Sequence, residues 1–136
     1  MKALMEWLSQ FGDCEFHFEV VGDILTPDIL KFLESVPPGM FQFEIGIQTT
    51  DVRVQESIQR KQNNQKLFDT IKKLLVQDRI HFHCDLIFGL PGENMDNILN
   101  SFIEVADILT KYSVCFHAPV QRITKPVKVQ IIIVSI

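Results

Sequence analysis

The sequence predicts an α/β fold, a partial TIM-type (β/α) barrel with parallel strands, and three observations predict it. Segments with a two-residue hydrophobic period alternate with segments of helical period. Through residue 110 each strand-like segment is separated from the next by at least one helix, which favours right-handed crossovers and parallel pairing. The strands are also polar along one side, which a parallel sheet covered by helices on both faces would not be. With 136 residues, 46% of them hydrophobic and 22% charged, the chain can fill the core of one domain and is neither disordered nor fibrous.

The elements follow in order. Leu4, Met5, Leu8 and Phe11 fall at helical spacing over residues 2–11, and Gly12-Asp13 stops that helix. Residues 15–21 alternate and read as a strand. Thr26 is an N-cap with Pro27 at the first helical position, opening a helix that runs to about Val36 before the break at Pro37-Pro38-Gly39. Residues 41–48 alternate most cleanly of all. Asp51 caps a short helix to about Gln59, and Asn63 or Asn64 caps another over 65–77 with Leu67, Ile71, Leu74 and Leu75 on its core stripe. A third strand spans 80–88, and residues 89–92 turn into a long helix, 94–110, bearing Ile98, Phe102, Val105 and Leu109. Residues 114–120 and 127–136 read as extended.

Side chains alternate across a strand, so each strand sorts into two faces. Phe16, Phe18 and Val20 share one face with Phe41, Phe43, Ile45, Ile47, Phe82, Cys84 and Leu86. The other face collects Glu15, His17, Glu19, Gln42, Glu44, Gly46, Gln48, His81, His83 and Asp85. A solvated face is the plain explanation, but the inside of a barrel wall lining a ligand site is more economical. The histidines at 17, 81 and 83 read as hydrogen-bonded structural groups rather than ligands. By spacing alone, His81, His83 and Asp85 with Glu44 or Glu19 also suit a divalent metal, hence a hydrolase or lyase on a barrel.

The segment Asp85-Leu86-Ile87-Phe88-Gly89-Leu90-Pro91-Gly92-Glu93 followed by a helix resembles the radical S-adenosylmethionine (SAM) enzymes of the coproporphyrinogen-oxidase, methylthiotransferase and cobalamin-dependent branches. Glu44-Ile45-Gly46-Ile47-Gln48 resembles their E-[IV]-G-[IV]-Q strand, Arg60 their helix-end arginine, and Phe18-Glu19-Val20 their preceding strand. These four segments keep the family's order over residues 15–107. The resemblance implies a barrel interior holding SAM beside a [4Fe–4S] cluster. It places Glu19, Glu44, Gln48, Arg60 and Asp85 at SAM, with Gly89 and Gly92 letting backbone approach the cofactor. A guanidinium such as that of Arg60 suits the methionyl carboxylate.

The family's C-x3-C-x2-C cluster loop is missing, and Cys14, Cys84 and Cys115 have neither its spacing nor that of a disulfide framework. They read as reduced, mostly buried thiols. The chain therefore looks like the middle to C-terminal part of an iron–sulfur oxidoreductase. Its parent would cleave SAM reductively and abstract hydrogen from a small-molecule substrate, while the fragment itself would bind no cluster, carry no catalytic residue and be inactive. Similar sequences bring cobalamin as a possible cofactor of the parent and magnesium-protoporphyrin monomethyl ester cyclase as a possible reaction. The third reading is a non-catalytic piece that forms homo-oligomers through exposed sheet edges.

Charge divides the chain. Residues 1–107 hold nine bases against seventeen acids, −8, and the last 29 hold four bases and no acid, +4. This separates a partial barrel, 1–110, from an atypical basic tail, 111–136, that looks out of pattern with the body. The net charge of −4 argues against a nucleic-acid partner. No apolar run reaches the ~18–20 residues of a membrane span, so the expected location is cytoplasmic.

Overall fold

The computed structural model describes residues 1–113 and 128–133. The elements are α1 (Lys2–Leu8), β1 (Phe16–Val20), a 3-10 turn (Gly22–Ile24), α2 (Pro27–Leu33), β2 (Phe41–Gln48), α3 (Val52–Ser57), α4 (Asn64–Gln77), β3 (His81–Phe88), α5 (Met95–Ser113) and β4 (Lys128–Ile133). All neighbouring strands are parallel, in the order β1-β2-β3-β4. Crossovers of one hand through an order that never reverses put the helices on one side of the sheet. The result is a stretch of TIM-type barrel wall, its inner face uncovered by any described helix.

The apolar strand face predicted from alternation is the core. Phe41, Phe43, Ile45, Ile47, Cys84 and Leu86 are fully buried and form one cluster with Leu30 and Leu33 of α2, Leu67, Ile71 and Leu74 of α4, and Val105 and Leu109 of α5. Each such side chain contributes about 1.5–3 kcal/mol on burial. That outweighs the poor intrinsic stability of helices as short as α2 and α3. The three predicted caps are made: Thr26 Oγ1 accepts from Ile29 N at 3.4 Å, Asp51 Oδ1 from Arg53 N at 2.8 Å, and Asn63 Oδ1 from Lys66 N at 2.9 Å.

Several boundaries differ from the sequence expectation. α1 ends at Leu8 rather than Phe11, because the next residues tighten into three-residue turns, Gln10 N to Trp7 O at 3.3 Å and Phe11 N to Leu8 O at 3.0 Å. Of its apolar stripe only Met5 is fully buried, while Leu4, Trp7 and Phe11 stay exposed. α2 ends at Leu33 rather than Val36 through the same tightening at Glu34 and Ser35, ahead of Pro37. The 3-10 turn was not expected. Gly22 is needed there, since a Cβ would meet Leu67 Cδ1 at 2.4 Å.

The largest correction concerns α5. Phe102, placed on its core stripe by spacing, is 39% exposed, whereas Ser101 is 1% exposed. The inward stripe is Asn97, Ser101, Val105 and Leu109, at steps of four. The extended reading of 127–136 meets β4 over Lys128–Ile133, while the 114–120 segment, with Cys115 and His117, lies outside the described residues.

Candidate functional site

Register assembles the polar face in rows. Glu19 pairs with Glu44, Glu44 with His83, and Gly46 with Asp85. Toward the carboxyl ends of the strands these rows open into a cleft of ≈ 450 Å³ lined by Glu19, Glu44, Gly46, Gln48, Arg60 and Asp85, with Val20, Val21 and Ile87. Five of the seven residues proposed from sequence thus meet in one place. Gly89 and Gly92 do not line it. They sit in the turn after β3 with φ of 90° and 78°, a conformation that suits glycine.

Each lining group has a structural cause. Gly46 leaves the floor without a side chain. Gln48 ends β2 at a register irregularity and holds a φ of 65°, unusual for a residue with a Cβ. Arg60 arrives from α3, which terminates in a Schellman motif. Gln59 takes a φ of 56°, its N–H reaches Glu56 O at 3.0 Å, and Arg60 N–H reaches back to Gln55 O at 2.8 Å. The Arg60 side chain then donates from Nη2 to Gly46 O and from Nε to Gln62 Oε1 at 2.8 Å.

Asp85 is the electrostatic centre. Burial pushes its carboxyl up to about 6, helped by the Glu44 charge, a hydrogen bond with Glu44 and the Glu19 charge. Its Oδ1 is buried and, among the described residues, has no hydrogen-bond partner. Such a group calls for a donor or a cation. Deeper on the same face, His17 Nε2 lies 3.3 Å from Glu44 Oε2, and His83 and His81 meet through Nε2 at 3.3 Å. The histidines thus contact each other and Glu44.

A metal centre finds no support: among the described residues no three or more His, Cys, Asp or Glu side chains gather as one. His81, His83, Asp85 and Glu44 therefore do not form the divalent-metal site that spacing allowed. Cys84 is buried on the opposite face, where burial and the Asp85 charge raise its thiol to about 12, and Cys14 is exposed.

Sequence reasoning missed the supports at the rim. Glu93 Oε2 accepts from Gly89 N at 2.8 Å and Leu90 N at 3.2 Å, so a carboxylate clamps the turn that follows Asp85. Its spacing four residues after Gly89 was the available signal. Ser101 Oγ takes Thr50 N–H at 3.0 Å and Asn97 Nδ2 donates to Asp51, tying the loop after β2 to α5. Nothing local signalled these contacts across about 50 residues.

A family model for the Radical SAM superfamily matches residues 1–104. The chain is 31% identical over 94 residues to anaerobilin synthase of Escherichia coli O157:H7, covering 69% of this chain and 21% of that protein. Among solved structures, coproporphyrinogen III oxidase from Escherichia coli, described as a radical SAM enzyme, matches with a TM-score of 0.66 and 22% identity over 79% of this chain and 26% of that one. The chain thus spans about a fifth of the length of the curated relative it matches. Among the described residues no helix is long and apolar enough to cross a membrane.

Proposed function

Since the chain belongs to the radical SAM superfamily, we propose that the acidic cleft is the SAM site of an iron–sulfur oxidoreductase, carried on part of its barrel. The observation that carries the reading is the convergence of Glu19, Glu44, Gln48, Arg60 and Asp85 around one cleft, with Asp85 Oδ1 buried and unpaired.

The donor set fits SAM. Carboxylates at 19, 44 and 85 supply counter-charge for its ammonium and sulfonium groups and acceptors for its ribose hydroxyls. Arg60 supplies N–H donors for its carboxylate, and Gln48 offers both a donor and an acceptor. In this family bound SAM supplies hydrogen-atom abstraction from an organic substrate. This chain's own residues bind and orient: the row of acids holds the ammonium and sulfonium charges, and Arg60 holds the carboxylate.

The described residues do not fit a [4Fe–4S] cluster. Cys84 lies on the wrong face with a thiol that stays protonated, Cys14 is exposed, and no C-x3-C-x2-C segment occurs in the sequence. We therefore read this stretch as a SAM-binding part that does not turn over by itself. No cleft residue selects a tetrapyrrole or a cobalamin, and the proposal stops short of both.

Calorimetric titration of the chain with SAM tests the reading. Saturable binding is expected, weakened by about tenfold or more in Asp85→Ala, as for loss of a charge-assisted hydrogen bond. A titration without heat, or equal binding by the variant, would sink it.

A further inference from the structure

We infer that Gln62 and Asp23, neither of which lines the cleft, are positioning residues that aim the Arg60 guanidinium end-on into it and so make the site demand a carboxylate-bearing nucleoside. The inference rests on the SAM reading and extends it to the origin of selectivity.

A guanidinium has five N–H donors in a fixed plane. Nε is committed to Gln62 Oε1 at 2.8 Å, and one Nη2 hydrogen to Gly46 O. Both Nη1 hydrogens and the second on Nη2 remain. With the Nε edge engaged, the Nη1–Nη2 end is the remaining fork that can grip a carboxylate through two parallel bonds. Without the Gln62 contact the Nη2 bond to Gly46 O would be its remaining anchor among the described residues, about which the group can pivot and spread its donors over more directions.

The orientation of Gln62 is itself determined. Its Nε2 donates to Asn64 Oδ1 at 2.9 Å and to Thr49 O at 3.4 Å. With acceptors holding the NH2 end, the amide oxygen must be the atom turned to Arg60. Asn64 is fixed in turn, its Nδ2 donating to Thr50 O at 2.7 Å. The loop that carries Gln62 is pinned from the other side by Asp23, whose Oδ2 accepts Asn63 N–H at 2.9 Å. Burial lowers the Arg60 pKa, and the Asp23 charge acts the other way, favouring the cation. Asp23 thus both places the loop and stabilises the charge that the loop aims.

The test compares two probes on the full chain: SAM, and decarboxylated SAM, which keeps the nucleoside, the sulfonium and the amine but lacks the amino-acid carboxylate. The wild-type chain should prefer SAM by about tenfold, the worth of a charge-assisted pair. In Gln62→Ala and Asp23→Ala that preference should collapse toward parity while the affinity for decarboxylated SAM stays within about twofold, which also reports an intact fold. Parallel loss of both probes would assign the pair a merely structural role and overturn the inference, as would an unchanged preference. A wild-type chain that binds the probes equally sinks the inference but leaves a nucleoside site, and one that binds neither sinks the SAM reading beneath it.

Discussion

Asp85 has a carboxyl that its surroundings make harder to ionise. Burial acts first, then the Glu44 charge, the Glu44 hydrogen bond and the Glu19 charge, together raising it to about 6. The unfolded chain has no such neighbours, so the folded pKa lies above the unfolded one. The stabilisation from this proton is complete below about pH 4 and is lost as pH rises through about 6. Its upper bound is roughly 3 kcal/mol. Melting temperatures at about pH 4.5 and about pH 7.5 should therefore differ more in the wild type than in Asp85→Asn, whose amide stays neutral throughout. An unchanged pH dependence in the variant would mean that Asp85 and Glu44 share no proton. At this scale the sequence was informative where strand alternation dictates direction, hence Glu19, Glu44, Gln48 and Asp85. It was silent on Gln62, Asp23 and Glu93, whose roles depend on how loops close on one another.

Elements were legible wherever a local rule sets them. Thr26, Asp51 and Asn63 each cap the helix that their residue type announced, and β2 keeps its alternation in full, buried at every odd position from Phe41 to Ile47. The rotation of α5 was not legible. Hydrophobicity alone turns Phe102 inward, yet Ser101 is the buried residue. The reason lies outside the helix: the loop after β2 brings Thr49, Thr50 and the Thr50 N–H to its wall, and a hydroxyl satisfies them where a phenyl ring would not. Ser101 Oγ stands 3.3 Å from Thr49 Oγ1 and 3.1 Å from Thr50 Oγ1, besides receiving Thr50 N–H. Ser101→Ala should leave that buried N–H unpaired and cost about 1–3 kcal/mol in chemical denaturation. A cost near zero would show that the loop has another partner. The same loop ends at Asp51 and leads through α3 to Arg60, so the variant is also expected to loosen the cleft's cationic side.

At the scale of the whole fold, the described sheet is a barrel wall open at both edges. Among the described residues β1 pairs only with β2 and β4 only with β3, leaving two strands with one unpaired side each. The crossover helix into β4 carries an exposed apolar stripe, with Met95 at 66%, Leu99 at 49% and Ile103 at 60% exposure. Leu4, Trp7 and Phe11, ahead of β1, are exposed as well. In a closed barrel these strand edges and helix flanks are the surfaces that the next β–α unit covers. Free in solution they are the surfaces most prone to association. For this stretch on its own we propose that a second copy supplies the complement, with β4 of one meeting β1 of the other at two equivalent seams. Two four-stranded walls then give the eight strands of a closed barrel. Such closure predicts a discrete dimer, whereas pairing at one edge alone predicts an open-ended ladder. Light scattering over roughly a hundredfold range of concentration should find the dimer, and Leu99→Lys with Ile103→Lys should shift it toward monomer. A monomer at every concentration would mean that the exposed apolar faces of α5 and α1 are satisfied without a second chain, and the two-seam arrangement would then be wrong.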